Sequence, residues 1–162
     1  MFHQWLIAYD FEPCCDAAAH AAARLAVAQA RTDGVVGRLV LCHVVLPPPL
    51  PMSTDVFGAP DALGLIAQST LDAGQRLDAV AASMRGEYPS LAIETAVQSG
   101  PPVDAILAEA QLQKVDAIAV GSHGRTGLAH ALLGSTAEKT ANKAKIPVLV
   151  VKVEDASHAV HP

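Results

Sequence analysis

The sequence predicts an α/β fold: an open sheet of five parallel strands with helices on both faces. Three observations predict it. Short apolar runs alternate along the chain with longer stretches of helical period, so successive strands are joined by helical crossovers. Most of the runs are unbroken Val, Leu, Ile and Ala, as in strands covered on both faces. The chain is 51% hydrophobic yet has only one Trp, two Tyr and three Phe, so small aliphatic side chains must let helices lie close on the sheet.

Trp5 to Tyr9 reads as strand one, and the alanine-dense Asp16 to Arg31 as helix one. Leu39 to Val45 is strand two. Ile66, Thr70, Ala73, Leu77, Val80 and Met84 recur at intervals of three and four and mark one face of helix two. Leu91 to Val97 is strand three. It alternates and carries Glu94 at its middle, the pattern of an edge strand. After the break at Gly100-Pro101-Pro102, Val103, Ile106, Leu107 and Ala110 mark helix three. Ala117 to Val120 is strand four, Ser135 to Ala144 helix four, and Val148 to Val153 strand five, opened by Pro147. Residues 46 to 60 hold five prolines and form a long connection, a lid or a variable loop. The reading is one domain over residues 1–154 and a flexible polar tail over 155–162.

Composition narrows the function. A net charge of −5 argues against nonspecific binding to nucleic acid or to an anionic membrane. No apolar run reaches the length of a membrane span, and no secretory leader is evident. Cys14, Cys15 and Cys42 show no metal spacing and read as reduced thiols, which points to the cytoplasm. His158 and His161 are too few for a metal site. All five lysines lie at or beyond Lys114, so the later part of the chain is locally basic.

The chemistry concentrates where Gly121-Ser122-His123-Gly124 closes strand four and, nine residues later, Gly134-Ser135-Thr136 opens helix four. Glycines let the main chain approach an anion, and the first amides of a helix lack internal partners. Ser135 and Thr136 add hydroxyl donors. The spacing is neither a Walker A loop nor a dinucleotide fingerprint. Asp10 follows strand one and either caps a turn or accepts hydrogen bonds from a ligand. Arg125 either pairs with phosphate or stays solvated. His123, between the glycines, and His43, on strand two, read as structural. No Ser-His-Asp or Cys-His arrangement and no carboxylate pair on one helix face is present, so no catalytic residue is assigned.

The run Val120-Gly121-Ser122-His123-Gly124-Arg125-Thr126-Gly127, followed by Leu132-Leu133-Gly134-Ser135-Thr136-Ala137, closely resembles the motif of the ATP-binding branch of the universal stress protein family. Asp10, His43-Val44 and Ile146 to Val151 support the resemblance, which covers nearly the whole chain. It implies a Rossmann-like sheet of order 3-2-1-4-5, whose crevice between strands one and four takes the ligand. It implies ATP or another adenine nucleotide, with Mg2+ or Mn2+. Asp10 would meet the ribose or base, and Val44 would meet adenine through its main chain. Gly121 and Gly124 would face ribose and phosphate; Arg125, Gly134, Ser135 and Thr136 would surround the phosphates. One departure is Glu12, where the family often has serine; a carboxylate beside a triphosphate is unfavourable unless it faces solvent or a metal ion. The resemblance also implies a homodimer through strand five, Pro147 to Val153, an apolar edge in this order. The function implied is a nucleotide-dependent regulatory or protective module in stress response, acting on an unidentified partner protein. The alternatives are a slow ATP hydrolase or a non-nucleotide interaction module.

Overall fold

A computed structural model of the chain describes residues 1–46, 62–122 and 133–153. Its elements run β1 (Gln4–Ala8), α1 (Pro13–Asp33), β2 (Arg38–Val45), α2 (Ala62–Glu87), β3 (Ala92–Ser99), α3 (Pro102–Leu112), β4 (Ala117–Gly121), α4 (Ser135–Lys143) and β5 (Val148–Val151). The five strands form one sheet of order β3-β2-β1-β4-β5, parallel throughout, as the resemblance implied. The connection after Leu46, the segment holding His123, Gly124, Arg125 and Gly127, and the tail lie outside the described residues.

Alternation of side chains across each strand builds two cores. Trp5 and Ile7 of β1, Leu39 and Leu41 of β2, and Ala117 and Ala119 of β4 face α1 and α2. Leu6, Cys42, Ile118 and Val120 point the other way, toward Ile106 and Ala110 of α3 and Ala137 of α4. Helix α1 lies on β1, β4 and β5, and α2 lies on β2 and β3. The contact face of α1 is alanine: Ala18, Ala19, Ala22, Ala23 and Ala26 are all buried. Alanine is the strongest helix former and brings the helix axis near the sheet. Gly34 ends α1 in the left-handed region at φ 74°, its N–H bonded to the Ala30 carbonyl at 2.8 Å.

Several expected boundaries move, for identifiable reasons. Helix α1 begins at Pro13 rather than Asp16, because Glu12 is extended (φ −94°, ψ 154°) and proline suits a first helical position. Cys14 and Cys15 therefore belong to the helix. β4 includes Gly121, and β5 stops at Val151 rather than Val153, because Gly121 pairs with Val151 at the last rung. β3 runs on to Ser99, which pairs with Val45.

Candidate functional site

In a parallel sheet every strand points its carboxyl end the same way. Here those ends open into a cleft of about 670 Å³. Among the sequence-predicted residues, Asp10, Val44, Gly121, Gly134, Ser135 and Thr136 all line it. Gly124 and Arg125 lie outside the described residues.

Asp10 stands two residues past β1. Its Oδ1 accepts the Glu12 N–H at 3.1 Å and the Cys15 thiol at 2.7 Å. The turn-capping reading of Asp10 is seen directly in these two bonds. One oxygen caps the turn into α1, while Oδ2 accepts no hydrogen bond among the described residues. Burial, and then the bond to Asp10, push the Cys15 thiol far up, so it stays protonated. Burial pushes Cys42 up to about 12. The Tyr9 phenol is also raised, by burial and by its bond to the Asp16 carboxylate. These three groups are thus neutral donors at neutral pH, not nucleophiles.

At Val44 the relevant geometry is that of the main chain. β1 pairs with β2 only as far as Ala8 opposite Cys42, with one further bond from the Tyr9 N–H to the Cys42 carbonyl at 2.8 Å. The Tyr9 carbonyl does not extend the ladder. It accepts from His43 Nδ1 at 2.7 Å, which fixes the proton on that nitrogen and confirms His43 as a satisfied, buried side chain. On the other side, Gly100 N–H donates to the Val45 carbonyl at 3.2 Å. Main-chain groups alternate sides along a strand. Those of Val44 therefore face the edge that β1 has vacated.

Across the cleft, Gly134 precedes α4 with extended geometry (φ −58°, ψ 145°) and no side chain caps the helix. The Gly134 N–H is bound to the Ser122 carbonyl at 2.7 Å. The next amides, at Ser135 and Thr136, start the helix with no partner inside it, beside two hydroxyls. Gly121 has a further reason to be glycine. A Cβ there would lie 2.6 Å from Cys14 Sγ and 2.9 Å from the Cys14 carbonyl carbon, so its missing side chain seats α1. Glu12 does not line the cleft; its carbonyl instead accepts the Cys15 N–H at 2.9 Å, in the first turn of α1.

The sequence reading missed one wall. Ser69, Asp72 and Arg76 of α2 also line the cleft. They sit three and four residues apart beside the apolar stripe, where period alone assigns no role. Among the described residues no group of three or more His, Cys, Asp or Glu is placed to hold a metal ion, and no helix is long and apolar enough to cross a membrane.

Comparison with known proteins gives consistent results. The family model described as "Universal stress protein family" matches residues 1–152. A universal stress protein of Thermus aquaticus is 30% identical over 94% of this chain and 100% of its own length. Universal stress protein MJ0531 of Methanocaldococcus jannaschii is 38% identical over 54% of this chain, a match that spans 51% of that protein. Among solved structures, the universal stress protein UspA of Lactobacillus plantarum superposes with a TM-score of 0.75 at 18% identity, covering 93% of this chain and 97% of that one. An Arabidopsis thaliana family member solved with AMP bound gives 0.58 at 18% identity, covering 97% and 95%. A universal stress protein in complex with cAMP gives 0.58 at 20%, covering 93% and 97%.

Proposed function

The chain belongs to the universal stress protein family, and from that premise we propose that it binds an adenine nucleotide, ATP in the first instance, as a nucleotide-dependent regulatory or protective module of the stress response. The observation that carries the proposal is the convergence of three complementary features in one cleft. They are the Asp10 Oδ2, unbonded among the described residues, the vacated main-chain edge at Val44 and the uncapped start of α4. In this reading the base meets the Val44 main chain and the ribose hydroxyls donate to Asp10. The phosphates take the amides and hydroxyls of Gly134, Ser135 and Thr136, with Gly124 and Arg125 of the same motif completing the enclosure. Mg2+ or Mn2+ would arrive on the phosphates. Relatives that hold AMP and cAMP support the adenine-nucleotide class. We further propose that the protein works in the cytoplasm as a homodimer joined through β5.

The test is binding. A ligand selective for the folded state adds about 2.7 kcal/mol at a hundredfold excess over its Kd, so saturating Mg-ATP should raise the melting temperature of the wild type. Gly134→Asp puts a carboxylate where the phosphates should lie, and should lose that shift while melting normally without ligand. Absence of both a thermal shift and calorimetric heat at millimolar ATP in the wild type would end this reading.

A further inference from the structure

We infer that Arg76 of α2 is the platform on which the base of the ligand stacks, a role that rests on the nucleotide reading of the cleft. The inference begins at Phe11. This residue adopts φ 68°, an uncommon conformation for a bulky side chain and one worth a functional question. The turn sets the Phe11 ring edge-on to Tyr9, with centroids 5.4 Å apart, and tilted against His43 at 4.8 Å. The Arg76 guanidinium carbon lies over the same ring, 3.9 Å from its centroid. Arg76 and His43 line the cleft and Phe11 does not, so the guanidinium lies between the aromatic ring and the open space. Among the described residues no carboxylate lies within ion-pairing distance of Arg76. A planar cation is thus held over an aromatic ring, and its donors make no hydrogen bond among the described residues.

Its place in the fold decides what that plane meets. Helix α2 packs on β2 and β3. The amides and hydroxyls at the start of α4 stand beyond β1, on the β4 side of the cleft. Strands are about 4.8 Å apart, so β2 and β4 are separated by about 10 Å. Arg76 therefore serves the end of the cleft where Val44 offers its main chain, not the end that offers anion donors. A guanidinium is flat, delocalised and weakly hydrated, so it can lie plane to plane on a π system, which a tetrahedral ammonium cannot do. A purine inserted beside Val44 would meet main-chain groups at its edge and Arg76 at its face. Ser69 and Asp72 continue the same wall toward the start of α2.

Titration calorimetry of the wild type, Arg76→Ala and Arg76→Lys with adenosine, AMP, ATP and ribose 5-phosphate tests this. A stacked cation contributes roughly 0.5–2 kcal/mol, so Arg76→Ala should weaken adenosine, AMP and ATP by one common factor of about five to ten. Ribose 5-phosphate, which has no base, should bind Arg76→Ala as it binds the wild type. Arg76→Lys keeps the charge without the plane and should not restore affinity. Arg76 is exposed, so both variants should keep the wild-type circular dichroism. Three results overturn the inference while leaving the nucleotide reading intact: unchanged adenosine affinity in Arg76→Ala, a loss that grows with the number of phosphates, or wild-type affinity in Arg76→Lys. A wild type that binds none of the three adenine ligands overturns both.

Discussion

Replacing Gly121 with alanine should destabilise this protein whether or not a ligand is present. The added Cβ would lie 2.6 Å from Cys14 Sγ, 2.9 Å from the Cys14 carbonyl carbon and 3.0 Å from Cys14 Cβ. Carbon atoms in contact prefer about 3.5–4.0 Å. A change of rotamer can move the sulfur, but the carbonyl carbon and Cβ are fixed to α1. Relief requires the helix to lift from β4, and α1 sits there on fully buried alanines with little slack. Overpacking of this kind costs about 1–3 kcal/mol, and because main chain is involved the upper half is expected. For a chain of this size that corresponds to a melting temperature lower by roughly 4–12 °C. Urea denaturation of Gly121→Ala, Cys14→Ala and the double variant measures it. The double variant removes only the sulfur contact, so it should recover part of the loss, not all. A Gly121→Ala protein within about 0.5 kcal/mol of the wild type at unchanged m-value would refute the packing argument. The result also bears on binding, since a ligand defect at position 121 would not separate fold from site. Position 134 is the better probe.

Two further outcomes are expected. Arg38 hydrogen-bonds Glu94 at 2.6 Å and holds its carboxyl below the usual carboxylate range. A depressed folded-state pKa adds stability above the unfolded value, and that stability is lost as pH falls through the folded one. The pair is half-exposed, so Glu94→Gln should cost only about 0.5 kcal/mol at pH 7. The gap to wild type should close on acidification below the ordinary carboxylate range, about pH 4; a gap that widens in urea melts at low pH would contradict the ion-pair assignment. Separately, the proposed β5 dimer should scatter light as twice the 16.7 kDa chain, and Val150→Lys should shift it toward a folded monomer. A wild-type monomer at high micromolar concentration argues against that interface.

The sequence made the strand–helix alternation legible because each strand is a short apolar run and each helix carries its own period. The order of the strands came with the family resemblance, since apolar runs alone do not say which strand neighbours which. The positions of Asp10 and Gly134 at the cleft were legible because a carboxylate after a strand and a glycine before a helix are local signals. Arg76 was not, because its significance comes from Phe11, which is distant in sequence and sits in a conformation that a phenylalanine does not announce. Gly121 was assigned to the ligand side alone; its contact with Cys14 joins residues more than a hundred positions apart, and no local pattern reports it. The ends of β4 and β5 moved because ladder pairing, rather than hydrophobicity, sets where a strand stops.

The three buried thiols give the molecule an internal clock. Cys14 and Cys15 open α1, Cys42 lies in β2, and all three are buried thiols outside any disulfide. A thiol reagent reaches such groups only while the structure opens, so the rate of modification reads the frequency of opening. Cys15 and Cys42 sit against the cleft, whereas Cys14 is wedged against β4 at Gly121. One labelling time course, resolved by residue, would thus separate breathing of the cleft from lifting of α1, without an introduced probe. A ligand that fills the cleft would slow the first and need not slow the second.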